Sequence, residues 1–246
     1  MRIPRPAVVA VVAVAAVALG AFVTETVYAS RIEADLSSRI APASPGSGPP
    51  SVMIGGGPGS RWVAPGTLSS AAIRIEGVER PGLGPVAVEA TAADVVVPDD
   101  PAAPPIAGES TVSVQITGNS LGPALGMRDV LVGAADDPSL AGGTEHRARV
   151  TGTLEGSDIR VSAFVDLVVD THGARLVPVA PATGPAGFPD GDGELALRRT
   201  ALTLEPDVLP LGATVDTLTV TGGTITAAGT VAAGGAPLDG LARPGH

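Results

Sequence analysis

The chain of 246 residues contains no lysine and no cysteine, and each absence excludes a kind of chemistry. All fifteen basic residues are arginine, so neither a Schiff-base lysine nor the lysine of a phosphate-binding loop is available. Without cysteine there is no disulfide framework and no zinc–thiolate site. The redox state of the compartment therefore cannot be read from the sequence.

Aromatic residues make up only 2% of the chain, and its formal net charge is −10. The core must be built from Val, Ile, Leu and Ala, which favours strands. Negative charge and few stacking side chains argue against nucleic acid as a partner. Simple electrostatic attraction to an anionic membrane surface is unsupported for the same reason.

An uncharged apolar run, residues 7–23, follows Arg2 and Arg5. It is long for the hydrophobic region of a signal peptide and short for a spanning helix, and residues 27–29 form an acceptable cleavage site. Residues 1–26 are therefore predicted to be a signal peptide or a membrane anchor, and the length slightly favours the anchor. In both cases the positive charge before the run predicts that the following chain lies outside the cytoplasm.

The period of the apolar residues changes after Pro50. Before it, residues 27–41 have an apolar side chain at every fourth position, which predicts an amphipathic helix. These side chains are Tyr28, Ile32, Leu36 and Ile40. After it, apolar and polar residues alternate, as in residues 68–78 and 110–118, which is typical of half-buried strands. We expect about eight strands and two helices, without the strand–helix alternation of a doubly wound nucleotide-binding fold.

Turn residues indicate where elements meet. Gly156–Ser157 and Gly222–Gly223 each predict a hairpin, and the Pro/Gly/Asp-rich residues 181–194 predict a long loop. A single domain is predicted for residues 27–233, followed by a mobile tail at residues 234–246.

A second, short helix is predicted near residue 120. Asn119 or Ser120 can cap it, and Pro123 suits its first turn. Leu121, Leu125 and Met127 would give it an apolar side.

Four segments in order carry a resemblance to a known family. They are "PPSVMIGGGPGSRWVAPGTLSSAAIRIEGVE", "STVSVQITGNSLGPAL", "VTGTLEGSDIRVSAFVDLVVDTHGARLVPVA" and "LPLGATVDTLTVTGGTITAAGTV". In this order they resemble the LmeA-like phospholipid-binding proteins of the actinobacterial cell envelope, and they cover most of residues 27–232.

The first of these segments has the family form P-x-V-x-I-x-G-x-P. Val52, Ile54, Gly56, Pro58 and Gly66 occupy the expected places. The family usually has bulky apolar residues on both sides of the proline, whereas this chain has glycines at positions 57 and 59. These glycines lack the register of a dinucleotide or phosphate loop, and the proline removes a backbone donor, so a turn is favoured over a phosphate site.

The resemblance implies an α+β fold in which a strongly curved antiparallel sheet wraps around a long N-terminal helix, a tubular lipid-binding (TULIP-like) architecture. It also implies a monomer without cofactor that binds, carries or presents phospholipid, supports the maturation of lipid-linked glycans and has no catalytic activity. The membrane would be reached through the N-terminal apolar segment.

The lipid site is predicted on the inward faces of the strands, because acyl chains need apolar burial and the chain has no strong cationic cluster. The residues expected to line it are Ile73, Ile75, Val112, Val114, Ile116, Val161 and Val165. Arg74 and Arg160 are candidates for contact with a phosphate at the mouth of the groove, although the alternation points both outward. The same apolar faces are also compatible with an ordinary filled core.

Two alternatives from other classes stay open. "DLVVDTHGA" places Asp166, Asp170 and His172 on one strand face, and a secreted hydrolase would use Asp170 and His172. A solvated strand face explains these residues more simply, and no metal site is expected there. The third alternative is an envelope scaffold without ligand.

Overall fold

The computed structural model describes residues 27–40, 48–56, 61–135, 146–182, 193–232 and 234–244. The apolar run at residues 7–23 lies outside these ranges, so the predicted anchor or signal peptide does too. Within them, no helix is long and apolar enough to cross a membrane.

The described residues form fourteen strands and three α-helices. In chain order they are α1 (residues 27–40), β1 (Ser51–Ile54), β2 (Trp62–Ala64), β3 (Thr67–Val78), β4 (Val86–Val96), β5 (Ile106–Ala107), β6 (Glu109–Ile116), α2 (Gly118–Leu125), β7 (Met127–Ala134), β8 (Arg147–Leu154), β9 (Arg160–Asp170), β10 (Gly173–Pro181), α3 (Gly193–Thr200), β11 (Leu202–Thr203), β12 (Thr217–Thr221), β13 (Thr224–Val231) and β14 (Ala236–Pro237). Short 3-10 helices cover Pro210–Gly212 and Leu238–Ala242.

The strands form two sheets, and all the strand pairs described are antiparallel. The larger sheet has nine strands in the central order β1-β3-β4-β6-β13-β12, with β2 beside β3 and with β5 between β4 and β14. The smaller sheet has the order β11-β10-β9-β8-β7. One sheet is a strongly curled half-barrel, which confirms the predicted α+β class with a curved antiparallel sheet.

Helix α1 packs beside β1 with the C-terminal half of the apolar side that the sequence predicted. Leu36 and Ile40 are fully buried in the core, whereas Tyr28 is 53% exposed. The Ser37 hydroxyl donates to the Pro50 carbonyl at 2.6 Å, and the Ile54 amide donates to the Glu33 carboxylate at 3.1 Å. The described part of α1 has fourteen residues, so a long helix enclosed by the sheet stays a prediction.

The two predicted hairpins are present as β8–β9 and β12–β13. Three other expectations are corrected. Strand β7 was not expected, and helix α3 begins inside the segment predicted to be a loop. The segment predicted to be a mobile tail forms β14 and a 3-10 helix whose Leu238 and Leu241 are fully buried.

Helix α2 begins two or three residues earlier than its sequence indicated. Its N-cap is Thr117, not Asn119 or Ser120, and Pro123 lies inside the helix. The Thr117 hydroxyl accepts from the Ser120 amide, and the Ser120 hydroxyl accepts from the Thr117 amide, both at 3.4 Å. Both side chains thus satisfy amides that an uncapped helix would leave without partners.

We expect Thr117→Ala to lower the free energy of unfolding by about 1 kcal/mol, because it removes one half of this capping box. Thr117→Ser retains the hydroxyl and should behave like the parent protein. Urea unfolding of the three proteins checks the prediction, and equal losses in both variants would contradict the capping explanation.

Candidate functional site

The candidate site is the apolar face of the larger sheet, called here the inner face. In the strand register Ile75 lies opposite Val88, Val88 opposite Val114, and Val114 opposite Ala227, so these four side chains form one row across β3, β4, β6 and β13. All four are buried. The opposite face of β3 and β6 carries more polar side chains, which are exposed or half-buried, as alternation requires.

The structure brings together five of the seven predicted site residues on this inner face, and the other two lie on β9 of the smaller sheet. All seven are at most 3% exposed: Ile73, Ile75, Val112, Val114, Ile116, Val161 and Val165. Both groups belong to one continuous hydrophobic cluster. Burial shows that these positions are apolar and inward, and it is equally compatible with a filled core and with a site that opens for lipid.

Parts of the chain itself cover the inner face. The segment around the first 3-10 helix contributes buried Val208, Leu209 and Ala213. It lies so close to β13 that a Cβ atom on Gly229 would be 1.9 Å from the Thr214 carbonyl oxygen. Glycine is therefore required at this position for the segment to reach the sheet.

The C-terminal 3-10 helix, Leu238–Ala242, is the other cover, and it contacts β3, β4 and the first 3-10 helix. Leu238 and Leu241 are fully buried. The Leu238 amide donates to the Pro105 carbonyl at 2.8 Å. Since its two leucines belong to the same buried cluster as the inner-face side chains of β3 and β4, this helix is assigned to the inner face.

Arg80, just beyond the end of β3, is a functional candidate among the described residues that the sequence did not indicate. Its side chain is only 5% exposed, and it donates to the Leu241 carbonyl at 3.1 Å. Its Nε atom is buried without a hydrogen-bond partner. Burial lowers the pKa of Arg80, while the negative charge of Asp207 acts in the opposite direction. Nothing in the sequence around Arg80 distinguishes it from the exposed arginines.

Arg74, a candidate for contact with a lipid phosphate, forms ion pairs with glutamates of the outer face. It is about half exposed on the outer face and forms ion pairs with Glu76 at 2.7 Å and with Glu89. These partners raise the pKa of Arg74. An outer-face guanidinium with two carboxylate partners is poorly placed to bind a phosphate on the inner face.

Two surface pockets lie on either side of the short strand β11. One, of about 430 Å³, lies between the β3–β4 turn and α2, and the other, of about 420 Å³, lies beside the β9–β10 turn. They share Thr203, Leu204 and Glu205 as a common wall. None of the seven predicted lipid-site residues lines either pocket.

The second pocket contains Asp170 and His172, the residues of the hydrolase alternative. The Asp170 carboxylate accepts from the backbone amide of His172 at 2.7 Å and from the Arg175 guanidinium. The backbone amide is the main cause that holds the pKa of Asp170 below its usual value, and Arg175 adds to it. Asp170 thus stabilises the β9–β10 turn, and Asp166 forms a bidentate ion pair with Arg147. Within the described ranges no cluster of acidic and histidine side chains is suited to a metal ion.

Comparison with known proteins gives one match. The sequence model of the family described as LmeA-like phospholipid-binding matches residues 20–230. Neither the curated proteins nor the solved structures gave a match. The matched range contains the whole inner face of β3, β4 and β6, and it ends before the C-terminal 3-10 helix.

Proposed function

Because the chain belongs to the LmeA-like phospholipid-binding family, we propose that it binds phospholipid by its acyl chains on the inner face, without catalysing a reaction. The observation that supports this most directly is the family match over a chain whose larger sheet has one mainly apolar, buried face, on which Ser110 of β6 is a buried polar side chain. Each methylene group moved from water to such a face contributes roughly 0.8 kcal/mol, so an acyl chain needs no polar motif for tight binding.

The finer proposal concerns architecture and place. The curled sheet would enclose α1 and a bound lipid as in tubular lipid-binding proteins, and Leu36 and Ile40 of α1 already pack into the shared core. The protein would act as a monomer in the cell envelope, held at the membrane by residues 7–23. There it would carry or present lipid, supporting the maturation of lipid-linked glycans.

The seven predicted residues are proposed as the acyl-chain contacts, and they can be tested without mutation. We expect a phospholipid with a nitroxide on its acyl chain to broaden the methyl NMR signals of Ile73, Ile75, Val112 and Val114 in isotope-labelled protein. The exposed Val177 and Val179 provide the matched control, because they should be broadened only by nonspecific collision. The methyl signals of Val161 and Val165, on β9 of the smaller sheet, should broaden as well.

The outcome separates the alternatives. Equal broadening of exposed and inner methyl groups, or none at all, would show that the inward faces are ordinary core. Native mass spectrometry of protein purified from an envelope preparation should show bound phospholipid, and its absence would favour the scaffold. Asp170→Ala with His172→Ala should leave lipid binding unchanged, whereas a hydrolase would lose activity.

A further inference from the structure

We propose that the C-terminal 3-10 helix occupies part of the lipid site, and that a bound phospholipid displaces it and places its phosphate on Arg80. This rests on the proposed phospholipid binding. The segment would thus occupy the position of the ligand. Leu238 and Leu241 would take the place of the acyl chain, and the Leu241 carbonyl would take the place of a phosphate oxygen.

The path of the segment supports this assignment. Strand β14 pairs with β5, which joins β4 at Val96, the carboxyl end of that strand. Arg80 lies just beyond β3, beside the other end of β4, since Val78 pairs with Val86. Residues 236–242 therefore extend along the inner face from one end of β4 toward the other, the course that a lipid chain on this face would take.

Within the described residues, several hydrogen bonds attach the segment to the rest of the fold. Two residues of β14 pair with β5, the Leu238 amide donates to Pro105, and Arg80 donates to Leu241. The ion pair that Asp239 forms, with Arg243, is internal to the segment, and one Asp239 carboxylate oxygen is buried without a partner. Burial of Leu238 and Leu241 adds an apolar contribution to these contacts, and an acyl chain can supply burial of the same kind.

Arg80 has few hydrogen-bond partners while the 3-10 helix Leu238–Ala242 lies against it. Its buried guanidinium has a neutral carbonyl as its acceptor, its Nε has none, and it forms no ion pair within the described parts of the chain. A phosphate offers charged oxygens that match the fork of a guanidinium and form stronger hydrogen bonds than a carbonyl does. Exchange of Leu241 for a lipid phosphate therefore improves the partners of Arg80.

The displacement is tested with a reversible lock. The chain has no cysteine, so Leu211→Cys with Gly240→Cys introduces the only disulfide. These positions are adjacent, because a Cβ on Gly240 would lie 2.8 Å from Leu211 Cδ2. We expect the oxidised variant to take up fluorescent phosphatidylglycerol from vesicles at least roughly ten-fold less than its reduced form. Thr217→Cys with Ala228→Cys, an opposed pair in the β12–β13 hairpin, is the control lock and should have no effect.

The phosphate contact is tested with Arg80→Gln, and Arg74→Gln, on the outer face of β3, is its control. We expect Arg80→Gln to weaken phosphatidylglycerol binding roughly ten-fold, the effect of one charge-assisted interaction, without weakening the binding of diacylglycerol with the same acyl chains. Inorganic phosphate should not compete. Thermal unfolding is measured for each variant, and Arg80→Lys, which keeps the charge, replaces Arg80→Gln if the latter does not fold.

If the oxidised Leu211→Cys, Gly240→Cys variant takes up as much lipid as its reduced form, displacement of the segment is overturned. If Arg80→Gln loses the same affinity for phosphatidylglycerol and for diacylglycerol, the phosphate contact is overturned. Competition by inorganic phosphate would make Arg80 a site for free anions. If the parent protein binds no phospholipid, the proposed function fails together with this inference. If the parent binds phospholipid and neither the oxidised lock nor Arg80→Gln changes that binding, only this inference fails.

Discussion

Replacement of Val114 by aspartate is expected to lower the free energy of unfolding by about 4 kcal/mol or more. Val114 is fully buried between Val88 and Ala227 on the inner face. The variant loses about 2 kcal/mol of apolar burial and places a carboxyl group where the row offers no hydrogen-bond partner. Urea unfolding at pH 7 measures the loss.

The loss should also depend on pH. Burial raises the pKa of a carboxyl group in the folded state above its value of about 4 in the unfolded state. The folded variant then binds its proton more tightly than the unfolded chain, so its stability falls as the pH rises above about 4. The difference from the parent protein should therefore be larger at pH 7 than at pH 4.

Thr111→Asp is the matched control, since Thr111 lies on the same strand with an exposed side chain. We expect a change within about 0.5 kcal/mol. A similar loss in both variants would mean that the two faces of β6 do not differ as described. Because Val114→Asp is expected to unfold the protein, loss of lipid in that variant would say little about the site, and the methyl signals are the better probe.

The strands of the larger sheet could be predicted because one side of each faces water. Ile73 and Ile75 alternate with Arg74 and Glu76, and that period of two also assigns the buried face. Strand β7 was missed because its sequence, "MRDVLVGA", does not alternate strictly, and its register with β8 shifts between Arg128 and Leu131. Helix α3 has eight residues next to a segment rich in proline and glycine, which concealed its pattern.

The C-terminal segment shows the limit of composition as a guide. "GGAPLDGLARPGH" is rich in glycine and proline, yet its Leu238 and Leu241 are fully buried against the rest of the fold. The hydrogen bond from Arg80 to the Leu241 carbonyl joins residues 161 positions apart in the sequence, and no local pattern predicts such a pairing. Arg80 could not be selected for the same reason.

The lipid site poses a different problem, because an acyl-chain site and a protein core use the same side chains. Alternation identified Ile75 and Val114 as inward residues, and the structure places both on the inner face. What lies against them depends on segments far along the chain, the residues around Leu209 and those around Leu241. The family resemblance, confirmed over residues 20–230, supplied the lipid, which the pattern of residues could not.

The contact between one of these covers and the sheet leads to the second large effect, a loss of about 3 kcal/mol on Gly229→Ala. The new Cβ would lie 1.9 Å from the Thr214 carbonyl oxygen and 2.9 Å from Leu209 Cδ1, so the backbone of the cover must move. That movement weakens two neighbouring hydrogen bonds. The Asp216 amide donates to the Ala228 carbonyl at 2.8 Å, and the Asp216 carboxylate accepts from the Thr230 amide at 3.2 Å.

Gly133→Ala is the control for this change, because a Cβ at that position in β7 meets no atom within 4 Å. Both substitutions add one methyl group to a glycine in a strand, and both restrict the unfolded chain equally. They differ in the space available, so urea unfolding should show a large loss for Gly229→Ala and a change within about 0.5 kcal/mol for Gly133→Ala. Equal stability of the two variants would mean that residues 209–214 do not press against β13, and the inner face would then be open to ligand from that side.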